Sequence, residues 1–300
     1  MDTRSVIRMA LFGFVWNLTN CTLSVPDRKL FDLQELISIV LRNCCKIRAR
    51  TLAKVCGKII AMSPALGHVT QIMTRCMFSV LNEKYQWNQI LNIAHKQDCV
   101  SELLFWKSNI IKLEPQALLQ KSSSYNLYTD ASNSAAAGFI ENLDLVMHKP
   151  WLPSEASKSS TWREIKAVEL CVLAFLEKIR GSTVTFYTDS QNAASIILKG
   201  SRVPELQVLA LTIFNSCRKN KIDIYTVWIP RGQNVQADYL SRIIDTDDWQ
   251  TTVEFYSYLY SMCGPHSVDR FANVDNRKTK RFISLYWNPG TLGVDAFSSN

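Results

Sequence analysis

Four acidic side chains in this 300-residue sequence stand where regular elements begin or end. Asp130 closes the apolar run Tyr125-Asn-Leu-Tyr-Thr-Asp130, and Asp189 closes a second run, Val184-Thr-Phe-Tyr-Thr-Asp189, with the same Tyr-Thr-Asp ending. Glu164 follows Ser159-Ser-Thr-Trp-Arg163 at the head of a long apolar helical pattern, and Asp238 lies in Asn234-Val-Gln-Ala-Asp238-Tyr-Leu-Ser-Arg242, which opens another helix. Two aspartates at strand ends, with one acid on each of two helices, can meet at one edge of a sheet. Such a cluster suits hard divalent cations, which take carboxylate oxygens and keep several waters. Cleaving a phosphodiester with water needs an activated nucleophile and a stabilised leaving oxyanion, and two cations about 3.5–4 Å apart serve both in an in-line displacement. Clustered carboxylates repel one another unless cations are present. Singly, each acid has an ordinary structural explanation: Asp130 and Asp189 as turn-starting caps, Glu164 as a solvated first-turn residue, Asp238 as a helical surface acid.

The elements that must carry these acids follow from periodicity. Tyr125–Asp130, Ala135–Ile140 and Leu143–Lys149 are strand-like, with Ser132-Asn-Ser134 as a turn. Trp162–Ile179 predicts a helix ended by Gly181, Val184–Thr188 a fourth strand and Ile222–Ile229 a fifth closed by Pro230. Gln191–Leu198, Glu205–Arg218 and Val235–Arg242 read as helices. The order predicts an α/β fold with a mixed five-stranded sheet over residues 121–243, entered through the linker Lys121-Ser-Ser-Ser124. Upstream, residues 1–26 read as strand and turn. Residues 27–120 are mainly helical: Leu30, Leu33, Leu36, Ile37, Val40 and Leu41 recur at three- and four-residue steps, with Asp27 as the N-cap, and Arg50–Met62 and Val100–Ile111 add helices. Residues 244–300 start acidic (Asp245, Asp247, Asp248), then turn aromatic and basic with weak periodicity.

Tyr-Thr-Asp130-Ala-Ser, Arg-Glu164, Tyr-Thr-Asp189-Ser and Asn234-Val-Gln-Ala-Asp238 together resemble the ribonuclease H of retroelements, and Asn-x-x-Ala-Asp-x-Leu-Ser-Arg resembles reverse-transcriptase polyproteins. Leu11-Phe-Gly-Phe14, Leu23-Ser-Val-Pro26 and Leu52-Ala-Lys-Val-Cys-Gly-Lys58 resemble the stretch after the polymerase palm in DIRS-type and related retrotransposons. Gly264-Pro-His-Ser-Val-Asp-Arg-Phe-Ala-Asn273 and Asp295-Ala-Phe297 resemble the region downstream of ribonuclease H in those elements. The resemblance covers nearly the whole chain, most specifically residues 125–243. It implies a ribonuclease H-like fold in which Asp130, Glu164, Asp189 and Asp238 hold two Mg²⁺ or Mn²⁺ ions and cut RNA in an RNA–DNA hybrid, which the 2′-hydroxyl marks against DNA. It also implies that residues 1–26 end a palm, that 27–120 form a thumb or connection, and that 244–300 are an incomplete domain. In this superfamily, integrases and transposases place their Glu last, whereas here it lies between the first two aspartates. Two departures stand out. Cellular ribonucleases H carry a His before the last Asp, but no His occurs between His148 and His266. Arg231 occupies that region, and an arginine cannot shuttle protons near neutral pH, so it is expected to grip phosphate. No Tyr-x-Asp-Asp motif occurs, so DNA synthesis by this chain alone is not expected. A second class stays open: a catalytically silent nucleic-acid-binding module descended from such an element.

Charge points to the same partner. The first 120 residues carry 15 Lys and Arg against 8 Asp and Glu, and the whole chain has a net charge of +8. No acid lies between Glu35 and Glu83, where Lys46, Arg48, Arg50, Lys54 and Lys58 are candidate phosphate contacts, of the kind that set salt-dependent affinity without reading sequence. Positions 42, 46, 50, 54 and 58 would spiral along one helix unless Asn43-Cys44-Cys45 breaks it; a solvated helix face is the alternative. Ser190 and Asn192, at a helix start after Asp189, are further phosphate candidates, with N-capping the alternative for Ser190. In the tail, Arg277-Lys278 and Lys280-Arg281 beside Phe282, Tyr286 and Trp287 pair charge with stacking surfaces, or form an exposed loop over a small core. Nine cysteines without a framework, and only Cys263 and His266 as a close Cys/His pair, imply free thiols in a reducing compartment, cytoplasmic or nuclear. Arg4 and Arg8 before Met9–Trp16, with sequons at Asn17 and Asn20, mimic a secretory leader. The run is too short, however, and a buried strand is the expectation there. No apolar stretch approaches the roughly 20 residues that span a bilayer. Protein partners are not indicated.

Overall fold

A computed structural model describes residues 8–119, 121–243, 251–270, 272–273, 276–284 and 290–291. The chain forms two compact units, Met1–Ser122 with Ser195–Leu211, and Ser123–Ala194 with Thr212–Asn300.

In the first unit a small antiparallel sheet joins Arg8–Leu11, Phe14–Asn17, Thr22–Ser24 and Gln116–Ala117 in that order. The apolar run at Met9–Trp16 is thus a hairpin and not one buried strand. Phe12 and Gly13 turn it with φ of 53° and 77°, the left-handed pair that matches strand twist in a two-residue loop. Its outer strand, Arg8–Leu11, is exposed because nothing among the described residues covers it. Helices follow at Asp27–Arg42, Ala49–Ala61, Arg75–Asn82 and Gln97–Asn109. Leu33, Ile37 and Val40, then Leu52, Val55 and Ile59, come inward at helical spacing against Met77, Leu103 and Trp106. Pro26, not Asp27, takes the N-cap position of the first helix; Asp27 is its first residue and favours the positive end of the helix dipole. The 42-to-58 charge spiral does not form. The helix stops at Arg42, Ile47–Arg48 is a short strand, and a new helix starts at Ala49. Lys46, Arg48, Arg50 and Lys54 are exposed nonetheless, and Lys58 is half-buried. Buried Glu102 accepts the backbone N–H groups of Cys76 (2.9 Å) and Met77 (2.8 Å) at the head of Arg75–Asn82; burial pushes its carboxyl up to about 7.

The second unit is built on a five-stranded mixed sheet: β1 (Tyr125–Ala131), β2 (Ala135–Ile140), β3 (Val146–Pro150), β4 (Thr183–Thr188) and β5 (Asp223–Trp228). The order is β5-β4-β1-β2-β3. β1, β4 and β5 run parallel, and β2 and β3 are antiparallel to their neighbours. This is the ribonuclease H-like sheet topology expected from the sequence. The longer helices that follow these strands along the chain are α1 (Ser160–Ala174), α2 (Gln191–Lys199), α3 (Pro204–Lys219) and α4 (Val235–Arg242), with residues 195–199 of α2 and 204–211 of α3 belonging to the first unit. Ser159 caps α1 by accepting the Trp162 N–H. The single helix expected over 162–179 breaks at buried Phe175, whose carbonyl accepts from Lys178 and Ile179 to begin the short turn Leu176–Ile179. α1 lies close on β2 because that strand is small. Ala135, Ala136 and Ala137 are buried, and a Cβ at Gly138 would stand 2.9 Å from the Tyr128 carbonyl and collide with the Cys171 thiol. α4 packs Ala237 and Leu240 on Ala137 and Phe139, with Tyr128, Val146 and Ile243 around them.

Beyond α4, a helix at Val253–Cys263 has no buried residue, and Val268–Arg270 pairs in parallel with Arg281–Ile283. The acidic stretch at Asp245–Asp248, the aromatics Tyr286 and Trp287, and Asp295-Ala-Phe297 lie outside the described residues. Among the described residues, no helix is long and apolar enough to cross a membrane.

Candidate metal centre

Strand register explains the repeated Tyr-Thr-Asp. β4 pairs in parallel with β1 so that Tyr187 is opposite Tyr128, and the two rings stack at 4.8 Å. Counting two residues on along each parallel strand puts Asp189 level with Asp130, at the ends where both chains leave the sheet. The buried Thr129 and Thr188 between them face the other side, as the two-residue strand period requires. α1 then crosses β1 and β2 and delivers Glu164 from its second turn. One carboxylate oxygen from each of Asp130, Glu164 and Asp189 lies within 4.8 Å of the other two.

The electrostatics of this trio are unfavourable without a counter-charge. Asp130 is 4% and Glu164 8% exposed. Burial, followed by the charges of Asp130 and Asp189, drives the Glu164 carboxyl up to about 9, although the Ala131 N–H and the Arg163 charge oppose this. Glu164 Oε2 is buried with no hydrogen-bond partner. Burial also raises the Asp130 carboxyl; the Ser241 hydroxyl, donating to Oδ2 at 2.6 Å, opposes that rise. Three acceptors facing one another, one of them orphaned, are a donor set that fits a single hard cation.

Asp238 is not one of the trio. Its carboxylate is taken by two arginines: Arg242 donates through Nε to Oδ2 and through Nη2 to Oδ1, both at 2.9 Å, and Arg231 Nη2 donates to Oδ1 at 2.7 Å. These pairs, Arg242 foremost, hold its carboxyl down at about 2. Arg231 itself sits exposed on the turn Arg231–Gln233. The chain is distantly similar in fold to ribonucleases H. A ribonuclease H1 from the halophilic archaeon Halobacterium salinarum NRC-1 matches at 16% identity, over 39% of this chain and 92% of that one, with a TM-score of 0.34. LC11-RNase H1, solved in complex with an RNA/DNA hybrid, matches at 17% over 39% and 93%, with a TM-score of 0.32. The foamy viral protease–reverse transcriptase, also solved with an RNA/DNA hybrid, matches at 10% over 82% of this chain, with a TM-score of 0.31; the match spans 31% of that protein. No protein-family model matches the chain, and a comparison with curated proteins finds no match.

Ser190 uses its hydroxyl locally, accepting the Ala193 N–H at 3.3 Å as a cap on α2, while Asn192 stands exposed in the first turn of that helix. Lys46, Arg48, Arg50, Lys54 and Lys58 belong to the other unit. Several residues that serve the site had no reading of their own in the sequence. Ser241 binds Asp130 while Ser132 Oγ donates to the Ser241 carbonyl at 2.5 Å, tying α4 to the β1–β2 turn. Buried Asn234 donates to the Thr129 carbonyl at 2.9 Å, which fixes where α4 starts. Arg163 donates to Asn133 Oδ1 at 2.9 Å. The Trp228 indole donates to the Asp189 carbonyl at 3.0 Å. Asn234, Ser241 and Arg242 carried a signal as positions of the Asn-x-x-Ala-Asp-x-Leu-Ser-Arg pattern, and Arg242 also through its four-residue spacing from Asp238 on one helix.

Proposed function

We propose that the chain is a metal-dependent endonuclease that hydrolyses the RNA strand of RNA–DNA hybrids, with Asp130, Glu164, Asp189 and Asp238 as its acidic centre, as part of a retrotransposon reverse-transcriptase polyprotein. The observation that carries this reading is the Asp130–Glu164–Asp189 trio with its orphaned Glu164 oxygen. A structural acid finds a cation or an N–H for each oxygen; Glu164 has the Ala131 N–H for one, while Oε2 is left unpaired beside two more carboxylates. Mg²⁺ or Mn²⁺ held there, with Asp238 completing a two-ion site, would polarise the scissile phosphodiester and offset the charge that develops as water attacks it. The chain's own groups do the rest. Asp130 is oriented by Ser241 and Glu164 by the Ala131 N–H. Glu164 gives up its proton when the site is loaded. Arg231, and the first turn of α2 with Ser190 and Asn192, hold phosphates on either side of the cut, and Lys46, Arg48, Arg50, Lys54 and Lys58 of the other unit are phosphate contacts in their own right.

The second reading, a silent nucleic-acid-binding module, draws on one observation: Asp238 is paired with arginines and is not among the three acids whose oxygens converge. One assay separates the two. The chain is incubated in Mg²⁺ with a labelled RNA–DNA hybrid, and with the single- and double-stranded RNA and the DNA duplex of the same sequence, alongside Asp130→Asn and Asp189→Asn. Cleavage confined to the RNA of the hybrid and lost in both variants is expected. Equal activity in all three proteins would refute the enzyme, and hybrid binding without cleavage would leave the silent module.

A further inference from the structure

A carboxylate offers about four lone-pair positions. Asp238 spends three of them on arginine N–H groups, two at Oδ1 and one at Oδ2. While both guanidiniums are in place it cannot serve a cation fully, so a second ion lacks a ligand. Both arginines are solvent-accessible, with side chains 65% (Arg231) and 53% (Arg242) exposed. They come from different elements, a turn and the last turn of α4, and converge on one carboxylate. A phosphodiester presents the same pair of anionic oxygens at nearly the same spacing, and the guanidinium fork accepts either.

We propose that Arg231 and Arg242 form a phosphate-binding fork that Asp238 occupies in the free protein, and that a backbone phosphate of the nucleic acid displaces Asp238, releasing it to complete a second cation site. The inference rests on the reading of the trio as a metal centre. It makes the complete site a consequence of substrate binding. The repulsion around Asp130 and Glu164 agrees with this arrangement. A fourth free carboxylate facing the trio would add to it, and the arginines hold that charge in check until a phosphate and cations arrive together.

The test uses hybrid binding without metal. Affinity for a fluorescent RNA–DNA hybrid is measured by anisotropy in EDTA for the full chain, Asp238→Asn and Asp189→Asn. Both substitutions remove one negative charge from the same site, but only Asp238→Asn unties the fork. Asp238→Asn should bind about tenfold tighter, whereas Asp189→Asn should gain less than about threefold. Equal gains would overturn the exchange. Arg242→Lys, which keeps the charge and loses the fork, covers the case in which Asp238→Asn does not fold. It should bind hybrid several-fold more weakly in EDTA, and unchanged affinity would overturn the exchange. The two readings fail differently. If the anisotropy pattern holds but Mg²⁺ gives no cleavage, the nuclease is refuted and the fork stands. If cleavage holds with equal gains, only the fork is refuted.

Discussion

Replacing Glu164 by glutamine should stabilise the metal-free protein while destroying its metal site. The wild-type carboxyl is pushed from 4.5 to about 9 by burial and by Asp130 and Asp189. At pH 7 the unfolded chain carries this group ionised and the folded chain must protonate it. The span from 4.5 to 7, at about 1.4 kcal/mol per unit, amounts to roughly 3 kcal/mol lost to folding. The sign follows from the raised value: the penalty is absent below pH 4.5, grows as pH rises, and levels off above about 9. Glutamine carries no such cost. Its carbonyl can still accept from Ala131, and its amide can donate to the neighbouring aspartates, so little is lost in exchange. Urea denaturation in EDTA, followed by tryptophan fluorescence, should show the variant more stable by up to about 3 kcal/mol at pH 7, with the two proteins converging towards pH 5. Mg²⁺ should stabilise the wild type and leave the variant unmoved. A variant less stable than wild type at pH 7 in EDTA would refute the reasoning, because Glu164 would then be a structural acid.

Two further perturbations test the scaffold. Glu102, raised to about 7 by burial, should make stability fall as pH climbs from 4.5 to 7, by roughly 3 kcal/mol, and stay flat above. Glu102→Gln should lose that component, and an unchanged pH profile of the denaturation midpoint would count against it. Gly138→Ala should cost about 1–3 kcal/mol by forcing a methyl group against the Cys171 thiol and the Tyr128 carbonyl, visible as a lowered melting temperature. A neutral result would mean that α1 can lift off β2 at no cost.

The sheet and its acids were legible because local signals were redundant. Ala135–Ile140 and Val235–Arg242 stand at their expected bounds, and each Tyr-Thr-Asp marks a strand end, with Asp130 one residue before the end of β1 and Asp189 one residue past β4. Parallel register, which no spacing along the chain specifies, brings the two together. The illegible parts depended on neighbours distant in sequence. The helix Arg75–Asn82 is headed by a carboxylate 25 residues away, Glu102 to Met77, while Thr74 at its N-cap position turns its hydroxyl to the Thr70 carbonyl and caps nothing. The basic positions from 42 to 58 kept a four-residue spacing across a break at Asn43-Cys44-Cys45, and periodicity alone cannot see that the helix has stopped. At Met9–Trp16 apolar content suggested burial, but a hairpin can cover only one of its strands.

The acids themselves show why residue type is a weak guide to role. Glu102, Glu164 and Asp238 are equivalent letters, each on a helix, yet their surroundings separate them into three electrostatic states. Glu102 is buried but satisfied by two N–H groups of a helix start. Asp238 is satisfied by arginines that are exposed and therefore replaceable. Glu164 is buried and opposed, with one oxygen unpaired among other carboxylates. Folding offsets the first with hydrogen bonds and the second with charge, whereas for the third the Ala131 N–H and the Arg163 charge fall short of the burial and of the two aspartates. A chain that keeps an acid so far from its ordinary ionisation, with one oxygen unpaired, must recover the cost from something outside itself, and the partner that three converging carboxylates attract is a cation.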